Sequence, residues 1–145
     1  MSINFSTGAK AAMLGSTGLK AATAAFFLDI YTGARPLTAD APVSGTKLVR
    51  ISLNGTGTGL TFLDPDALGA INKDSAVVWR GIAIAAGTMG YARLQSGSDS
   101  GASSTSAIRL DFNVGTSSDL SMNSLTCSIT PVATPHSVDQ ASLSM

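Results

Sequence analysis

Few side chains in this 145-residue chain have types and spacings that could do chemistry. Its one histidine, His136, sits beside Pro135, and its one cysteine is Cys127. Acid–base or nucleophilic catalysis needs an imidazole oriented by a carboxylate and held near a hydroxyl or thiol. Nothing in the sequence around His136 supplies that. One Cys and one His cannot assemble a zinc site of the usual types within a single chain. Asp64 and Asp66 are spaced as in a calcium loop, but Leu68 takes the third ligand position and the closing Glu is missing. A turn organised by these aspartates is expected instead. Residues 54–60 (NGTGTGL) are glycine-rich like a phosphate loop, yet lack the Lys-Ser/Thr ending and are followed by no clear helix. Arg80, Arg93 and Arg109 fall in three expected strands. They could line one sheet face and bind phosphate or sugar; the favoured arrangement has them on the outer face, paired with Asp99 or Asp111. The expectation is a chain that is not an enzyme, with no catalytic, cofactor-binding or metal-ligating residue and no cofactor.

Composition bounds the partners. Charged residues are 12% of the chain, about half of what is usual in soluble domains, and nine Lys and Arg balance nine acids, all Asp. A net charge of zero argues against nucleic acid or an anionic membrane as partner. Such an Ala-, Gly-, Ser- and Thr-rich surface suits coverage by other subunits, or a modestly soluble monomer. The single Cys127 excludes an intrachain disulfide and is expected to be a buried small hydrophobe. Lys10 and Lys20 interrupt the N-terminal region, so no signal peptide is read, and no apolar run reaches membrane-spanning length. The glycosylation-like triplets at Asn4 and Asn54 therefore carry no weight. Use in a cytoplasm, or release by lysis, is expected.

The elements that must position these residues follow from periodicity. Residues 1–25 are an Ala-rich leader in which Ser6 or Thr7 caps a short helix stopped at Gly15. A helix this short must dock, on its own core or on a neighbouring subunit. Residues 26–32 (FFLDIYT) and 46–53 (TKLVRISL) alternate as strands, joined by a Pro-containing loop at 34–45 long enough to carry function. Residues 74–95 (DSAVVWRGIAIAAGTMGYARLQ) read as a central hairpin: Trp79 anchors the core, Gly81 marks a bulge or close backbone approach, and 87–90 make the turn. Trp79, Tyr31 and Tyr91 are expected to be buried. Residues 96–106 (SGSDSGASSTS) are a polar, mobile loop. Residues 107–114 and 125–132 are the last strands, before a polar tail. The organisation expected is all-β: an N-terminal arm with a short helix (1–25), a β-sandwich of jelly-roll-like form (26–132) and an extended C-terminal tail (133–145).

Five segments, NFSTGAKAAMLGSTGLKAA, DIYTGARPLTADAP, GTKLVRISL, AVVWRGIAIAAGTMGYARL and AIRLDFNVGTSSDLSM, come in an order that resembles the capsid cement (decoration) proteins of tailed bacteriophages. The likeness covers roughly residues 4–95 and then the closing strands, and rests on order and texture, not on a signature motif. It implies a structural virion protein that binds the outside of a phage capsid and cements neighbouring major capsid protein subunits. It implies self-assembly, chiefly as a homodimer with a trimer as the other arrangement, on a capsid exterior completed in the host cytoplasm. The leader, the 34–45 loop and the tail would then be the segments that wrap neighbours. A neck or tail protein, or a glycan-binding β-sandwich displayed on the virion, are the alternatives.

Overall fold

The alternating segments 26–32, 46–53 and 107–114 supply strands of one antiparallel sheet, whereas the described part of 125–132 holds only the two-residue strand Thr126–Cys127, which pairs apart from that sheet. In the computed structural model, which describes residues 3–115, 120–129, 133 and 135–143, the elements are β1 (Asn4–Phe5), α1 (Thr7–Leu14), α2 (Leu19–Ala22), β2 (Phe27–Tyr31), β3 (Lys47–Leu53), β4 (Ile71–Asn72), β5 (Trp79–Ile82), β6 (Gly87–Thr88), β7 (Tyr91–Gln95), β8 (Leu110–Asn113), β9 (Leu120–Met122), β10 (Thr126–Cys127) and β11 (Pro135–Leu143). The sheet order is β1-β8-β7-β2-β3-β5-β11-β4, with β9 also on β11, while β10 pairs β6 separately. The chain is thus all-β, with a large antiparallel sheet and two short helices.

Register explains why alternation sorts the faces. Ile51, Leu28, Leu94 and Leu110 lie opposite one another across β3, β2, β7 and β8, and Val49, Ile30, Ala92 and Phe112 form the next such row. All eight are buried and face the core, joined there by Trp79, which packs edge-on against Phe62 at 5.1 Å between ring centroids. The intervening rows carry the polar residues on the other face, as a period of two requires.

β3 is the strand that changes neighbours. Its first part pairs β2, and Ser52 and Leu53 pair Arg80 and Trp79 of β5. The approach is close at Gly81, where a Cβ would lie 2.1 Å from the Arg50 carbonyl oxygen. Glycine is needed there, as the sequence anticipates.

Three expectations are corrected. The stretch 74–95 is not a hairpin: β5 pairs β3 and β11, whereas β7 pairs β2 and β8. Gly87 and Thr88 pair Thr126 and Cys127 instead of turning β5 back on itself. The polar segment expected as a tail supplies β11, which pairs β4, β5 and β9. The leader is no free arm either: β1 pairs β8, and Ala9 of α1 is buried in the core. Ser6 is its N-cap and Gly15 its C-cap, as expected. Residues 130–132, the end of the expected last strand, lie outside the described residues.

Candidate functional site

The outer face of β3, β2, β7 and β8 carries one row of alternating charge. Arg50 lies opposite Asp29, Asp29 opposite Arg93, and Arg93 opposite Asp111, with Asn4 of β1 beyond. Arg50 donates from Nε and Nη2 to the two Asp29 carboxylate oxygens at 2.7 Å each, and Lys47 Nζ is 2.9 Å from Asp29 Oδ2. Arg93 donates to Asp111 through Nε at 2.7 Å and Nη2 at 2.8 Å, both side chains being fully buried. Gln95 Nε2 donates to Asp29 Oδ2 at 2.9 Å. In the next row Tyr31 stacks on Tyr91 with 5.2 Å between centroids.

The 34–45 loop roofs this face. Arg93 Nη1 donates to the Ala41 carbonyl at 3.0 Å, and the Tyr91 hydroxyl accepts from Ser44 N at 2.9 Å and donates to Ser44 O at 3.0 Å. Asp40, at the loop's outer edge, accepts from Thr7 N and Oγ1 at the start of α1. The loop is therefore held against its own sheet, with Leu37 on its outer side 96% exposed.

Electrostatics follow from burial and pairing. Burial acts to raise the Asp29 carboxyl, but the hydrogen bonds and charges of Arg50 and Lys47 outweigh it and hold it below the usual carboxylate range. Burial, with the Asp29 charge nearby, pushes the Tyr31 hydroxyl up to about 12. Burial also keeps the Asp111 carboxyl above its ordinary value against the pull of Arg93.

The residues singled out from sequence fall as follows. Arg93 pairs with Asp111 and Arg109 with Asp99, the partners expected, but these pairs are buried where exposed ones were foreseen. Arg80 is exposed and donates from Nε to the Asn54 carbonyl. Trp79, Tyr31 and Tyr91 are buried, the tyrosines on the polar face. Asp66 organises a turn by accepting from Leu68 N and Ala70 N, and Asp64 pairs with Lys20. No group of three metal-ligating side chains stands together among the described residues. His136 is buried in β11 with Nε2 3.3 Å from Cys127 Sγ, a contact missed because β11 was read as tail. Burial lowers the imidazole and raises the thiol, which disfavours a thiolate. Asp29 was also missed; a lone carboxylate in the apolar strand FFLDIYT was its signal, since a buried charge needs partners.

Two surface features remain. Ile82 and Ile84 are 62% and 63% exposed at and just beyond the end of β5, with Val78 and Ile129 also exposed. The serine-rich loop 96–106 borders a cavity of about 540 Å³ whose wall includes Phe26, Asp99 and Arg109. No family model, no curated protein and no solved structure matches this chain.

Proposed function

We propose that this chain is a structural virion protein that binds the outside of a phage capsid and cements neighbouring major capsid protein subunits. It acts as a homo-oligomer, with its sheet folded into a jelly-roll-like sandwich. The observation that carries the reading is the set of large apolar side chains left at the surface: Leu14, Leu37 and Leu68, at least 90% exposed, and Ile82 and Ile84 of the β5 region, 62% and 63% exposed. Cores of stable interfaces are depleted of charge and need apolar anchors. Here the arginines of the sheet face are consumed in internal pairs, while isoleucines project outward. The order of the five quoted segments supports the capsid as the partner.

The roles of the termini change with the fold. Leader, roof loop and β11 are folded parts of the domain, and the proposed contact surface is made of side chains they and β5 expose, Leu14, Leu37, Ile82 and Ile84 among them. The test strips capsids of this chain and adds it back. Wild type should rebind and slow thermal disassembly of the shell. A folded Ile82→Asp/Ile84→Asp variant should not. Equal rebinding by both, or a copy number in purified virions far below that of the shell subunit, would sink the reading.

A further inference from the structure

The core holds a pair of metal-binding groups that lies apart from the charged sheet face. Cys127 of β10 and His136 of β11 are 3% and 1% exposed, and Sγ lies 3.3 Å from Nε2. A thiol is a weak donor, so the contact returns little to a ring that has lost its hydration. Nδ1 is buried beside the Ser124 main chain without a hydrogen bond of good geometry. Metal-bound imidazoles commonly donate their second N–H to a main-chain carbonyl, and Ser124 is placed for that. Register adds a third donor. Cys127 lies opposite Gly87, and Met89 N donates to the Leu125 carbonyl, so Met89 stands diagonally across the β6–β10 ribbon from Cys127. Met89 and Cys127 are buried while Thr88 and Thr126 are exposed, which puts the two sulfurs on the ribbon's inner side. A diagonal neighbour is within reach of a long side chain.

Spacing and donor type decide the ion. Metal bonds of about 2.3 Å to sulfur and 2.0 Å to nitrogen hold the two donors about 3.5 Å apart at a tetrahedral angle, and about 4.3 Å apart in a line. The observed 3.3 Å fits the bent case, which calls for a further ligand. Thiolate, imidazole and thioether form a soft set, and soft donors select Cu(I). Charge points the same way. Cu(I) with one thiolate, a neutral imidazole and a thioether is uncharged, which suits the apolar cluster that holds Met89, Met122, Cys127 and Val138. A divalent ion on the same donors would leave a net positive charge buried there. On binding, the S–H bond breaks, an S–Cu bond forms and the proton leaves to solvent. The copper thus supplies the positive charge that a buried thiolate otherwise lacks.

We propose that Cys127 Sγ, His136 Nε2 and the Met89 thioether form a Cu(I) site. β6 and β10 are two-residue strands paired apart from the large sheet, and opening of this short ribbon is the route of entry. The experiment titrates the full chain with Cu(I) under anaerobic conditions, with ascorbate present and bicinchoninate as competing chelator. The chain should take one Cu(I) from the chelator, release one proton and show thiolate-to-copper absorption in the ultraviolet. Cys127→Ser should weaken the affinity at least about a hundredfold, and Met89→Leu, a swap of similar volume, at least about threefold. The near-ultraviolet signal of Trp79 reports whether each variant is folded. X-ray absorption of the wild-type copper complex needs no variant. Because His136 and Cys127 are the only residues of their types, imidazole and sulfur scattering at copper identify them. Zn(II) serves as the divalent arm and should bind more weakly. The proposal is overturned by a failure to take copper from the chelator, by copper with only nitrogen and oxygen neighbours, or by Zn(II) binding as tight as Cu(I). Undiminished affinity in folded Cys127→Ser or Met89→Leu would overturn it as well.

Discussion

Asp111 and Arg93 are both fully buried and joined by two hydrogen bonds, so a change on one side leaves a charge stranded on the other. Asp111→Ala should cost about 3–5 kcal/mol in urea unfolding, whereas replacing both partners by apolar residues should cost much less than the two single changes together. A double variant no more stable than the sum of the singles would show the pair to be uncoupled. His136 makes a second case, through pH. Burial lowers its folded pKa from the ordinary 6.5, so the unfolded chain binds the proton more readily. Its contribution is therefore present above about pH 6.5 and is lost as pH falls from there toward the lower folded value. The thermal midpoint should drop between pH 7.5 and 5, and His136→Gln should flatten that part of the profile; an unchanged slope would exclude His136 as its source. Much of this was legible in the sequence, since alternation puts Arg93, Arg109 and Asp111 on one face and names their partners. Their burial was not. The roof is a segment some fifty residues from Arg93 (|i−j| = 52 for its contact to Ala41) and docks partly through main-chain carbonyls, which leave no side-chain pattern.

Strands were readable as elements because a period of two survives in β2, β3 and β8, and the eight residues of their two apolar rows with β7 are buried. Partners were not readable in the same way. Proximity in sequence favours a hairpin between β5 and β7, yet β5 lies on β3 and β11 because Gly81 lets its backbone meet Arg50. The glycine was visible, but the strand it approaches was not. Gly81→Ala would place a methyl 2.1 Å from the Arg50 carbonyl oxygen, against backbone that cannot turn aside as a flexible side chain can. Overpacking of this kind typically costs about 1–3 kcal/mol. Hydrogen exchange should show the loss as faster opening of β5 and β11, with β2 and β7 less affected. Uniform acceleration across all four strands would mean that the sheet opens as one unit and that Gly81 has no local role.

At the scale of the molecule, the two ends hold the sheet together from opposite edges. β1 closes the β8 side, and the buried Ser6 hydroxyl accepts from Ala9 N and Arg109 N while donating to the Ala107 carbonyl. β11 joins β5 to β4 and β9, and brings Val138 opposite Trp79 in the core. A segment that orders only on a partner can be removed without unfolding the free chain; a segment that completes a sheet cannot. Deleting residues 1–15 should expose the β8 edge and orphan the Arg109 amide, and deleting 135–145 should uncover β5 along its length. Each truncated chain should lose the cooperative thermal transition and the near-ultraviolet signal of buried Trp79 before any partner is added. A truncation that unfolds cooperatively near the wild-type midpoint would return that terminus to the role of a free arm. The distinction bears on the proposed assembly: with both ends engaged in the sheet, neighbours would be held through exposed apolar side chains such as Leu37, Ile82 and Ile84, and binding should then depend on side-chain fit there and only weakly on salt.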